Sequence, residues 1–224
     1  MKWMLNVLRV LFIVGLPALF ISLSLGLAFN NLKLYEYSFD TYNVSQVTGI
    51  PRADLDRSAR ALIHYFNGSD EFARIIVNQA GQETQLLTPD EQLHFRDVKA
   101  LVWLDYKVLI GSFLIVVLLS VLAVLLRKRG FLRSLGRAAL WGAGFDLILI
   151  LVLVIASFFD FEGLFLQFHY LAFHNNYWYA PGNMTLLFPE QFWYTAALAC
   201  IGFSALLGVL TAAISLVLLR KKSR

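Results

Sequence analysis

The chain has 224 residues, 58% of them hydrophobic and only 15% charged, with a formal net charge of +4. A soluble domain is nearer a quarter charged, so this is the composition of a membrane protein. It excludes a disordered chain, which needs low hydrophobicity. It also excludes a disulfide-stapled secreted fold, since Cys200 is the single cysteine and lies in an apolar run where a buried, inert thiol is expected.

Four stretches reach the roughly 20 apolar residues that a helix needs to cross a bilayer core. They are Val10–Phe29, Val108–Leu126, Ala138–Phe159 and Phe192–Leu219. Lys2 and Arg9 flank the first. Arg127, Lys128, Arg129, Arg133 and Arg137 fill the short loop between the second and third, and Arg220, Lys221, Lys222 and Arg224 end the chain, with no Asp or Glu in any of these segments. Short loops holding the Lys/Arg excess stay in the cytoplasm. The positive charge is therefore sorted for a membrane and not for nucleic acid, and both termini are expected to be cytoplasmic. The predicted fold is an α-helical membrane protein with four transmembrane helices and a small extracytoplasmic domain between helices 1 and 2. In chain order this gives a first span within 1–29, the extracytoplasmic domain at 30–107, a second span at 108–126 and a basic cytoplasmic loop at 127–137. A third span at 138–159, an extracytoplasmic aromatic loop at 160–191, a fourth span at 192–219 and a cytoplasmic tail at 220–224 complete it. A cleaved signal peptide ending near Gly26 and Ala28 is the alternative for the first span. Its apolar core is longer than the usual 7–15 residues, which favours a retained helix.

The first outer segment begins Y-E-Y-S-F-D-T-Y-N-V, an aromatic and polar alternation that reads as a strand or half-buried extended segment. Pro51 then opens an amphipathic helix with Leu55, Ala59, Leu62, Ile63 and Phe66 on one face, stopped at Asn67–Gly68. Thr88-Pro89-Asp90-Glu91 predicts a second helix with Thr88 as N-cap, Pro89 at the first helical position and Glu91 completing a capping box. It can continue straight into the second span. Asp146 inside the third span is expected to be paired, packed or water-lined. The second outer segment is densely aromatic; a belt at headgroup level accounts for Tyr177, Trp178, Tyr179, Trp193 and Tyr194, but not for His169 and His174.

All four histidines, His64, His94, His169 and His174, lie in the outer segments. His64, in the amphipathic helix, reads as a solvated side chain. His94 and Asp97 stand three apart on a helix, so Asp97 can orient the imidazole for proton transfer, or Arg96, Asp97 and Lys99 form a solvated charged turn. His169, in Q-F-H-Y-L, is either an interfacial anchor or half of an acid/base pair tuned by a low-dielectric rim. No serine-hydrolase elbow, zincin, Walker or dinucleotide motif is present. A metal site from His94, His169, His174 and an acid is conceivable in chemistry, but the five-residue spacing of His169 and His174 is a poor helical chelate, and no metal is expected.

The runs Y-N-V-S-Q-V-T-G-I-P-R-A-D-L-D-R-S-A-R-A-L-I-H-Y-F-N-G, E-Q-L-H-F-R-D-V-K, F-H-Y-L-A-F-H-N-N-Y-W and L-L-F-P-E-Q-F-W, together with four spans, resemble the bacterial lipoprotein intramolecular transacylase family. The resemblance covers nearly the whole chain and departs from the family's usual pattern at Phe95 and Ala172. It implies a membrane acyltransferase that moves the sn-2 acyl chain of a diacylglyceryl-modified lipoprotein to the amine of its N-terminal cysteine. The histidine before D-V-K is His94 and that of F-H is His169, which the resemblance makes the catalytic pair, with Asp97, Lys99 and Trp178 supporting. It further implies a bacterial cytoplasmic-membrane location, lipoprotein and membrane lipid as partners, and an extracytoplasmic active site. Such a transfer brings its own nucleophile, so it needs no serine or cysteine from the protein and no cofactor. It does need proton transfer and a stabilised oxyanion, which one neutral and one protonated histidine can provide. Two rival readings are a non-enzymatic membrane module with a partner-binding outer domain, and a metal-binding sensor or transporter.

Overall fold

The computed structural model describes residues 2–125 and 129–220. Arg127 and Lys128 of the basic loop and Lys221, Lys222 and Arg224 of the tail lie outside the described residues. Eight α-helices are found among the described residues: α1 (Lys2–Asn30), α2 (Leu32–Thr41), α3 (Val44–Thr48), α4 (Arg52–Asn67), α5 (Pro89–Leu125), α6 (Arg129–Ala172), α7 (Asn183–Leu187) and α8 (Glu190–Arg220). A hairpin of β1 (Ile76–Gln79) and β2 (Gln82–Gln85) and a 3₁₀ turn at Tyr177–Tyr179 complete the list. Four helices, α1, α5, α6 and α8, are long and apolar enough to cross a membrane.

The chain divides into two compact units. One is Met1–Gly26, Asp105–Phe159 and Leu198–Arg224, which takes in most of the four apolar runs. Its core is Phe12, Leu16, Phe20, Leu119 and Ala138. Gly142 lets α6 approach α1 closely: a Cβ there would stand 2.8 Å from Leu16 Cδ1 and 3.0 Å from the Ile13 carbonyl oxygen, the small-residue contact that membrane helices favour. Asp146 is fully buried and packed against α8. Its Oδ1 accepts from Ser204 Oγ at 3.0 Å, and Gly208 leaves the room that Oδ2 occupies. Cys200 is half-buried, with its thiol 3.7 Å from the Ser24 carbonyl oxygen.

The second unit is Leu27–Leu104 and Asp160–Ala197. Here α4 forms where expected and buries Leu55, Ala59, Leu62 and Phe66 on one face. Asp54 Oδ2 accepts the Asn78 amide at 2.7 Å and so fastens α4 to β1. The 35–44 segment is not extended but helical. Asn31 Oδ1 caps the Lys33 amide at 3.1 Å, and α2 buries Tyr35, Ser38 and Phe39, the i, i+3, i+4 set of a helix, while Tyr37 stays exposed. The aromatic alternation thus misread a helical face as a pleat. The β-hairpin, absent from the sequence expectations, turns on Ala80 (φ 53°) and Gly81 (φ 85°), the left-handed pair that a two-residue hairpin loop requires. The 160–191 stretch, expected as a loop, is helical over its first part. α6 breaks at Asp160 and resumes with the Asp160 Oδ1 accepting the Gly163 amide at 2.8 Å, a new N-cap inside one long helix.

Candidate active site

Both candidate histidines belong to the second unit, outside the unit that gathers most of the spanning runs. His94 is set by the start of α5. The capping box forms as the sequence implies, with the Thr88 amide donating to Glu91 Oε2 at 2.8 Å and the Glu91 amide to Thr88 Oγ1 at 3.3 Å. Glu91 also does what the sequence did not reveal: fully buried, its Oε1 accepts the Met184 amide at 2.6 Å and pins α7 to α5 one turn before His94. Gly182 is required by this contact, since a Cβ there would fall within 2.4 Å of the Glu91 carboxylate.

His169 comes from the helix resumed after Asp160, and its Nδ1 lies 2.7 Å from the Phe165 carbonyl oxygen. A carbonyl only accepts, so Nδ1 carries the proton and Nε2 of the neutral ring holds the lone pair. The two imidazoles meet with centroids 6.1 Å apart and planes 27° from parallel, at 6% and 7% exposure. Their lining is aromatic. Phe173 sits edge-on to His94 at 4.9 Å, while Phe165 and Trp178 lie 4.3 Å and 5.0 Å from His169.

This lining decides the charge state. Burial, then the neighbouring His169, push the His94 pKa from 6.5 down to about 4 against a weaker opposing pull from Asp97. Burial lowers that of His169 too, opposed by its bond to Phe165. Both shifts favour the neutral ring, whereas the chemistry alone suggested one neutral and one protonated histidine.

Three supporting residues were expected, and they divide. Trp178 is beside the pair. Asp97 does not hydrogen bond His94, whose buried Nδ1 has no partner; instead Asp97 Oδ2 accepts from Asn175 Nδ2 at 2.8 Å. Asn175 Oδ1 in turn accepts the Tyr177 amide at 3.1 Å, so Asp97 holds the turn that carries Trp178. Lys99 is engaged elsewhere, donating to the Asp70 carbonyl at 2.6 Å with its ammonium 4.3 Å from the Tyr65 ring centroid. His64 and His174 are exposed. Among the described residues no three His, Cys, Asp or Glu side chains come together in a way that could hold a metal. Sequence reasoning missed Asn175 and Phe173. Their only trace is an amide and an aromatic within a few residues of the F-H motif.

Within this helical membrane protein the two buried, stacked histidines in their aromatic lining form the candidate site. The profile of the lipoprotein intramolecular transacylases, Lit, matches residues 10–193, and the chain belongs to that family. No curated protein matches it. The fold is shared with the in meso structure of the membrane-integral lipoprotein intramolecular transacylase from Bacillus cereus, at TM-score 0.82 and 20% identity, covering 100% of this chain and 99% of that one. Two substituted forms of the Bacillus protein, with one histidine replaced by arginine or by alanine, match at TM-score 0.78 and 20% identity over 99% of this chain and 95% and 96% of theirs.

Proposed function

We propose that the protein transfers the sn-2 acyl chain of a diacylglyceryl-modified lipoprotein to the α-amine of its N-terminal cysteine, with His94 and His169 handling the protons. The observation that carries this reading is the buried histidine pair, supported by the family to which the chain belongs. The amine nitrogen attacks the sn-2 ester carbonyl carbon, forming the C–N bond. The tetrahedral oxyanion then collapses with loss of the glycerol oxygen. One proton leaves the nitrogen and one must reach that oxygen. His169 Nε2, a lone pair fixed by the Phe165 bond, takes the first and returns it to the second. His94 has no partner on Nδ1, and an orphan lone pair is cheaper than an orphan N–H, so its proton belongs on Nε2, where it donates to the oxyanion. Positioned proton transfer contributes about 10²–10⁴-fold, and an oxyanion donor about 10²–10³-fold.

The partition of Lys and Arg supports cytoplasmic termini and an extracytoplasmic second unit, at the level of membrane lipid headgroups. An impermeant thiol reagent should label a cysteine placed at Asn67 in intact cells. Protection there, with labelling at Ser134, reverses the topology. Mass spectrometry of lipoprotein N-termini tests the function. Cells expressing the protein should yield N-acylated lyso-lipoprotein, and the same diacylglyceryl form with and without the protein would refute it.

A further inference from the structure

The two edges of the β1–β2 hairpin are treated differently. On β1 the outward Asn78 amide is taken by Asp54 Oδ2 at 2.7 Å, while the outward Ile76 is bonded by no described protein group, and in the turn the Ala80 amide is taken by the Gly49 carbonyl at 3.2 Å. Asn78 pairs with Glu83 and Ile76 with Gln85. Because antiparallel pairs alternate and the Asn78 amide points away from β2, Glu83 and Gln85 turn their own amides and carbonyls to the far side of β2. Among the described residues no protein group bonds these outward groups.

A cleft of about 640 Å³ meets β2 at its end, at Thr84 and Gln85, and is lined further by Gln79, Thr88, Gln92 and Asn183 with leucines between them; no charged side chain is among its lining residues. The amide nitrogens are spent on the protein's own carbonyls: Gln85 on Ala73 at 3.1 Å, Gln92 on Leu87 at 3.2 Å, and Asn183 on Leu86 at 2.8 Å. Among the described residues no donor is bonded to Oε1 of Gln85 or Gln92, which are left as acceptors. A neutral, acceptor-bearing cleft beside an open strand edge suits a main chain, which brings N–H donors and pairs with an edge without regard to side-chain charge.

We propose that this cleft and the outward edge of β2 bind, as an added strand, the polypeptide that follows the lipidated cysteine of the substrate. The proposal rests on the lipoprotein reading of the histidine pair. Gln92 precedes His94 by two residues, about 3 Å along the α5 axis but on the far side of the helix. Passing half-way round a helix of roughly 11 Å diameter takes about five extended residues. The cleft therefore receives the substrate from about the sixth residue onward.

The test uses the full-length protein in detergent with four synthetic probes. These are diacylglyceryl-cysteine amide, the same lipid with a neutral decapeptide tail, and tailed forms N-methylated at one or the other set of alternate tail residues. The tail should tighten binding by about tenfold or more, as about 1.4 kcal/mol requires, and one of the two N-methylated sets should lose that advantage. A photo-crosslinking residue at Thr84 should capture the distal tail. Glu83→Pro, at an outward edge position where proline spares the ladder, should bring the ratio of tailed to tail-less affinity near one. If that variant does not fold, the N-methyl series and the crosslink decide on their own. Equal affinity for all probes, or no crosslink from Thr84, overturns the cleft. Tight, N-methyl-sensitive binding without acyl transfer from the sn-2 ester to the cysteine amine within any probe would instead sink the catalytic reading and leave the cleft standing.

Discussion

Acidification provides a test of the histidine pair that is independent of turnover. The folded protein holds the His94 pKa at about 4, against 6.5 for the free side chain, chiefly by burial. A depressed histidine favours folding when neutral, so the unfolded chain binds the proton first as pH falls. The stability it contributes is intact above about pH 6.5 and is lost progressively down to about pH 4. At 1.36 kcal/mol for each tenfold in proton affinity, moving from pH 7 to pH 4.5 costs about 2 kcal/mol from His94 alone. For a chain of this size that is about 4–8 °C in melting temperature. Carboxylates titrate over the same range, so the decisive quantity is a double difference: melting of the detergent-solubilised protein at the two pH values, native against His94→Gln. Glutamine keeps a similar volume without a proton to gain, and it should remove about that much of the acid sensitivity. An identical acid-induced drop in both proteins would refute a neutral, buried His94.

Further outcomes follow from the geometry. His94→Ala and His169→Ala should each abolish lyso-lipoprotein formation with the protein still folded, and the double variant should lose little more, as expected of residues acting as one unit; the exposed His64 and His174 should tolerate alanine with small effects. Asn175→Ala frees Asp97 and the Trp178 turn, and should lower kcat by about tenfold with KM less affected, read on a synthetic diacylglyceryl peptide. Gly142→Val drives a side chain into Leu16 and the Ile13 carbonyl, and should cost about 1–3 kcal/mol, read as a lower melting temperature without a change in the pH profile of the remaining activity.

Composition and charge were enough to read four spans, because lipid imposes length and apolarity on a spanning helix regardless of what it packs against. The capping box at Thr88–Glu91 and the α4 face were equally legible, since each is decided within one or two turns of chain. What escaped the sequence was decided over distance. The i, i+3 spacing put Asp97 on the face of His94, yet Asn175, 78 residues further on, supplies a better partner and takes the carboxylate away. The alternation at Tyr35, Tyr37 and Phe39 satisfies a strand and a helix alike, and only the burial of Ser38 with Phe39 shows which was chosen. Both histidines could be nominated from family motifs, but their neutral state follows from Phe165, Phe173 and Trp178 closing around them, which no spacing rule encodes.

That neutrality bears on how the proposed reaction starts. A cysteine α-ammonium in water has a pKa of about 7.7–8.0, and a histidine depressed below 6.5 is a poor base toward it. The same aromatic lining that penalises an imidazolium penalises an ammonium, so an amine entering beside His94 and His169 sheds its proton more readily than in water. The histidines are then spared the uphill deprotonation. Their task moves to the tetrahedral intermediate, whose nitrogen has become strongly acidic and whose glycerol oxygen has become basic. A weakly basic shuttle with one nitrogen tethered to the Phe165 carbonyl matches that task, because it releases the proton as easily as it accepts it. On this account the rate should depend on the substrate amine reaching its neutral form inside the lining. Replacing Trp178 by a small polar residue would admit water and raise the pKa of amine and histidine together. Activity of Trp178→Ser should therefore fall most at the acid end of its range and recover in part as the pH is raised above 8. A uniform loss at all pH values would mean that Trp178 serves only to position the substrate.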